Sequence, residues 1–200
     1  IGYKPLYEYE IQDNGAVITG YNGTDTVLHI PRWIGNEYVT GIGESAFEGD
    51  TGITEVHLPS CTQSIGAGAF KNCTSLLRID GESVKEIGRE AFYNCTSLSY
   101  VRFFEDPVSI KTESDAFENT PILSQTDNLM DIHVSEAQDY SGNIFLGSIN
   151  YQEGMTQIPA RAHYGNARLH TVRLPESLQS IDSQAFAECP MLDYVELYDD

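Results

Sequence analysis

Two hundred residues with 30 acidic and 11 basic side chains carry a formal charge of −19, which repels phosphate backbones and argues against nucleic-acid binding. Forty per cent hydrophobic residues, with 12 Tyr, 8 Phe and one Trp, are ample for a folded core, and no apolar run approaches the roughly 18 residues of a membrane-spanning helix. Four cysteines without a C-x-x-C pair give little support to a zinc site.

Residues 1–25 are predicted to form an N-terminal cap. Tyr7, Tyr9 and Ile11 alternate with polar residues, Asp13-Asn14-Gly15 is a turn signal, and Val17 and Ile18 begin a return strand. Such a hairpin would cover the first turn of a stack whose edge otherwise faces water. Thr26 to Pro31 reads as a strand. Pro31 and Ile42 are then separated by five residues more than Pro59 and Ile65, an insertion holding Trp33 and Ile34.

From there the chain repeats itself. Ile42-Gly43-x-x-Ala46-Phe47, Ile65-Gly66-x-x-Ala69-Phe70 and Ile87-Gly88-x-x-Ala91-Phe92 follow at spacings of 23 and 22 residues, and the phrase returns at Ile110 with Phe117, at Ile158 with His163 and at Ile181 with Phe186. A small polar or thiol residue and two or three large apolar ones follow at fixed offsets, as in Cys95, Leu98, Val101 and Phe103. A period of this length marks a solenoid, in which each unit buries its apolar face against its neighbours. The prediction is one elongated domain, with regular repeats over 26–123 and 158–200 and an irregular insertion or degenerate repeat over 124–157. That last segment has no readable repeat phrase, and Ser141-Gly142-Asn143 suggests a protruding turn. The Phe residues should stack as a ladder.

These residues resemble the leucine-rich repeat, and more closely its BspA-like variant with the phrase I-G-x-x-A-F-x-x-C-x-x-L-x-x-V-x-L-P. Departures are local: Gly81 replaces a large strand residue, Lys111 and Asp182 replace the Gly after Ile, and His163 replaces Phe. The resemblance implies a leucine-rich repeat solenoid with a parallel sheet on the concave side and short helical or 3₁₀ turns on the convex side. It also implies a secreted or cell-surface protein of a bacterium.

Cys73, Cys95 and Cys189 share one register with Asp50, Thr120 and Asn166. Equivalent residues in a parallel stack point their Cβ atoms the same way, which disfavours disulfide geometry. Cys73, Cys95, Asn166 and Cys189 are therefore expected to form a structural ladder of small side chains facing neighbouring backbone, the thiols buried and reduced. Cys61 is off register and reads as a loop thiol.

The search for catalytic chemistry is negative. Ser45 lacks the second Gly of a G-x-S-x-G elbow, Gly66-Ala67-Gly68 recurs with the repeat, and the five His residues include no H-E-x-x-H or i, i+4 pair. No catalytic residue, metal site or cofactor is expected. Binding has more support. Strand residues that alternate with the inward Val and Leu must point out of the sheet. One such column is Glu55, Arg78, Tyr100, Thr171 and Tyr194, and the next is His57, Asp80, Arg102, Arg173 and Glu196, with Phe104 and Tyr198 beyond. Tyr, Phe and Arg are enriched at interface hot spots, so Tyr100, Arg102, Phe104, Arg173, Tyr194 and Tyr198 are the candidate partner-binding residues. The expected function is non-catalytic recognition by a monomer, with adhesion to a protein partner as the role the resemblance implies. A glycan-binding accessory region of a larger secreted enzyme and a structural spacer are the alternatives.

Overall fold

The structure is a computed structural model that describes residues 5–103, 110–113, 115–125 and 129–197. Among the described residues the fold is a parallel β-solenoid of about seven turns with almost no helix. Two compact units divide it, Ile1–Ile110 with Asp115–Ile122 and Lys111–Ser114 with Leu123–Asp200.

In the first unit, β1 (Tyr7–Gln12) and β2 (Gly15–Tyr21) form the predicted antiparallel hairpin. The hairpin also opens a parallel sheet. β2 pairs with β5 (Glu37–Ile42), which pairs with β7 (Ser64–Ile65), which pairs with β9 (Glu86–Ile87), placing Ile42, Ile65 and Ile87 in one buried column. The insertion folds as β4 (Trp33–Ile34), antiparallel to β5. A second sheet runs β10 (Tyr100–Phe103), β8 (Arg78–Gly81), β6 (Glu55–His57), β3 (Val27–His29), with Val56, Ile79 and Val101 in register. Four rings of the predicted ladder, the buried Phe47, Phe70, Phe92 and Phe117, stack with centroids 5.0, 5.4 and 4.9 Å apart.

Each Ala-Phe step is an isolated turn rather than a continuing helix, for two reasons. The Phe amides bond to the next turn of the stack, Phe47 N to Ala69 O at 2.8 Å and Phe70 N to Ala91 O at 2.8 Å. Left-handed backbone also recurs on both sides of the ring. Two residues before it stand Ser45, Gly68, Glu90, Arg161 and Gln184, and two after it Gly49, Asn72, Asn94, Asn119, Gly142, Gly165 and Glu188, all with φ between 52 and 75°. Helical φ cannot propagate through such positions. The Gly after each Ile has another cause: a Cβ on Gly66 or Gly88 would lie 2.9 or 2.8 Å from backbone nitrogen of the preceding turn.

The second unit contains β11 (Lys111–Thr112), β12 (Met130–Val134), β13 (Leu146–Tyr151), β14 (Gln157–Ile158), β15 (Thr171–Leu174), β16 (Ser180–Ile181) and β17 (Tyr194–Leu197). One sheet runs β12-β13-β15-β17 and another pairs β14 with β16, all parallel. The segment without a readable phrase does contain a turn of the repeat. Tyr140 stacks on His163 at 5.2 Å, and His163 on Phe186 at 5.2 Å. Asn143, Leu146 and Ile149 then occupy the Cys95, Leu98 and Val101 offsets and are buried. Ser141-Gly142-Asn143 therefore does not protrude, and Asn143 is wholly buried. Phe117, Tyr140 and His163 stay evenly spaced along the chain.

Candidate functional site

In the first unit the outward strand residues form a polar lattice set by the register. Glu55 pairs with Arg78 and Arg78 with Tyr100 across neighbouring strands, as do His57 with Asp80 and Asp80 with Arg102. The Arg78 guanidinium lies 4.6 Å over the Tyr100 ring, with Nη2 3.2 Å from Asp80 Oδ2 and Nε 3.7 Å from Glu55 Oε2. His57 Nδ1 is 3.0 Å from both Asp80 carboxylate oxygens, its Nε2 is 3.7 Å from Glu55, and its ring stacks on His29 at 4.6 Å. Tyr100 and Arg102 thus sit on one face beside a preset network. Its members Glu55, His57, Arg78 and Asp80 are missing from the candidate residues, although the repeat period already places them side by side.

Arg173 and Tyr194 lie on the sheet of the second unit. Arg173 Nε is 2.9 Å from Glu196 Oε2 and its Nη1 3.0 Å from Asn150 Oδ1, while Tyr194 pairs with Thr171 across the ladder. Among the described residues, Tyr100 and Arg102 lie on one four-stranded sheet and Arg173 and Tyr194 on another. Phe104 and Tyr198 fall outside the described residues.

The small residues of this column face backbone. Cys73 Sγ donates to Phe47 O at 3.0 Å, Cys95 Sγ to Phe70 O at 3.0 Å and Cys189 Sγ to His163 O at 3.1 Å, each the aromatic of the turn before. At the same register position Asn166 Oδ1 accepts from Asn143 N at 3.1 Å. Burial pushes the Cys95 thiol up to about 12 and raises Cys73 and Cys189 as well, which disfavours their thiolate forms. Among the described residues no cluster of three or more His, Cys, Asp or Glu side chains is placed to hold a metal, and no helix is long and apolar enough to cross a membrane.

One aromatic feature belongs to no ladder. Trp33 is 49% exposed and packs against the half-exposed Tyr38 at 3.7 Å with the ring planes tilted by 32°, and the Arg32 guanidinium lies 5.4 Å from the Tyr38 ring.

A solved leucine-rich repeat protein from Bacteroides ovatus resembles the chain with a TM-score of 0.57 and 25% identity, over 98% of this chain and 52% of that one. The T. pallidum leucine-rich repeat protein gives 0.52 and 24%, over 98% of this chain and 82% of that one. Among curated proteins, none matches this sequence. Residues 32–135 and 133–200 match the description of a BspA-type leucine-rich repeat region, in six copies. With the period, the parallel stack and the aromatic and thiol columns, this match shows that the chain belongs to the BspA-type leucine-rich repeat family.

Proposed function

We propose that this protein is a non-catalytic recognition module, secreted or displayed at a bacterial surface, that binds a protein partner through the outward face of its sheets. The observation that carries the reading is the Glu55-Arg78-Tyr100 and His57-Asp80-Arg102 lattice on adjacent parallel strands. Arg78 is held over Tyr100 by two carboxylates, so side chains of hot-spot type are already ordered before a partner arrives, which lowers the entropy lost on binding. The thiols of the repeat register point to backbone.

A screen of the chain against extracellular-matrix proteins and a glycan array supplies the ligand. Replacing Tyr100 and Arg102 together by Ala is then expected to weaken binding 10- to 100-fold while thermal stability changes little, because the half-buried Tyr100 and the exposed Arg102 lie outside the core. Unchanged affinity in the double variant overturns the sheet-face reading. Equal loss on replacing Lys71, Arg89 and Lys111 moves the site to the turn side. The exposed, tilted Trp33–Tyr38 pair favours a second reading, in which a sugar ring packs on Trp33; a glycan hit abolished by Trp33→Ala and indifferent to Tyr100 supports it.

A further inference from the structure

In the second unit a cavity of about 100 Å³ opens between the Lys111–Glu113 segment, the Ser141-Gly142 turn and the Arg161–Tyr164 turn. Its lining breaks the repeat at two places. Lys111 stands where Gly43, Gly66 and Gly88 stand in other turns, and Arg161 takes a left-handed position, φ 60°, filled elsewhere by Ser45, Gly68, Glu90 and Gln184. A long basic side chain in a left-handed conformation costs on the order of 1 kcal/mol or more. Neither departure helps the stack.

Charge points to the same place, although among the described residues Arg32 and Lys85 likewise meet no carboxylate. The chain has 30 acidic residues to 11 basic ones, and Lys71, Arg78, Arg89 and Arg173 each meet a carboxylate. Among the described residues neither Lys111 nor Arg161 has such a partner, and Arg161 rests on the Tyr164 ring at 3.9 Å. With Glu113 also in the lining, the cavity carries a net charge of one plus in a protein of −19. An independent sign comes from Thr112, which also lines the cavity: it is 5% exposed and its hydroxyl finds no hydrogen-bond partner. A buried hydroxyl left unpaired calls for a ligand or water that completes it. Gly142 keeps the wall close, since a Cβ there would fall 2.1 Å from Thr112 O.

We propose that this cavity is a binding site for a small oxyanion group, held by the Lys111 ammonium and the Arg161 guanidinium with the Thr112 and Ser141 hydroxyls as neutral partners. The volume suits one carboxylate, sulfate or phosphate group and is too small for a polyphosphate; the single net positive charge also fits a small anion. The group comes either as a free inorganic ion or at the tip of a larger acidic molecule, and the shared chemistry is the planar or tetrahedral oxyanion.

The test is direct binding to the full chain, by calorimetry and by amide shifts at Ser141, Gly142 and Tyr164, with sodium sulfate, sodium phosphate and sodium acetate at ionic strength matched with sodium chloride. Thermal shift alone is unsuitable because sulfate stabilises folded proteins without a site. At least one anion should saturate in the millimolar range with shifts confined to this cavity, and the preferred anion tells tetrahedral from carboxylate ligands. The decisive variant is Lys111→Gly with Arg161→Gly, which gives both positions a residue the repeat already uses, keeps the left-handed backbone unstrained, and should weaken binding at least tenfold. Thr112→Val should weaken it several-fold. If the double variant folds poorly, each single substitution carries the same reading. Absence of saturation with all three anions, or equal affinity in wild type and variants, overturns the proposal.

Discussion

His163 fills the position that Phe47, Phe70, Phe92 and Phe186 fill elsewhere, wholly buried between the Tyr140 and Phe186 rings. Its Nε2 meets the Tyr151 hydroxyl, and its Nδ1 has no partner. Burial therefore opposes the charged ring and lowers its pKa to about 4 from the ordinary 6.5. A folded-state value below the unfolded one means that the unfolded chain binds the proton first, so stability is fully present above pH 6.5 and is lost as the pH falls through about 4. Loss of about 3 kcal/mol is expected across that window. Thermal unfolding from pH 7 to 4 should show it in wild type and show less of it in His163→Phe; equal slopes in the two proteins refute the assignment. The sequence shows that His163 sits in the aromatic register. It does not show the burial that makes the imidazole neutral, because that depends on Tyr140 and Tyr151, which the repeat phrase never marks.

At the level of the turn, the hidden repeat at Tyr140 shows what spacing conserves when letters change. Tyr replaces Phe, Asp139 replaces Ala and Asn143 replaces Cys, yet the interval to the neighbouring aromatics holds and the buried column continues through Leu146 and Ile149. Part of the chain between Phe117 and Tyr140 is redistributed: Ile132, the register partner of Ile149, lies farther along the chain from Phe117 than Val56 does from Phe47. A reading anchored on Ile-Gly and Ala-Phe finds nothing there. The same logic separates equivalent residues in energy. Val172 and Leu174 are buried under β17, whereas Val195 and Leu197 in β17 itself are 59% and 73% exposed. Val172→Ala should cost about 2 kcal/mol or more and Val195→Ala less than about 0.5. Urea denaturation of the two variants checks this, and equal costs would mean that in solution something covers the β17 edge.

For the whole molecule the dominant physical fact is a charge of −19. Self-repulsion of this size opposes compaction, and exposed ion pairs such as Arg89–Asp115 offset little of it. Raising sodium chloride from about 10 mM to 500 mM, which shortens the screening length from roughly 30 Å to under 10 Å, should therefore raise the melting temperature; a fall would show that surface ion pairs outweigh repulsion. Much of the architecture was legible beforehand. A nearly constant period forces equivalent side chains into columns, so the Phe ladder and the strand pairs Val56–Ile79–Val101 follow from spacing alone. Only tertiary structure decided the rest. The left-handed positions either side of each aromatic, the Arg78 bridge over Tyr100, the placement of Tyr100 and Arg173 on different sheets among the described residues and the cavity beside Lys111 and Arg161 depend on distances of a few ångströms between residues on different turns. Periodicity says which residues are neighbours; it does not say which of several neighbouring charges, carbonyls or rings each side chain meets.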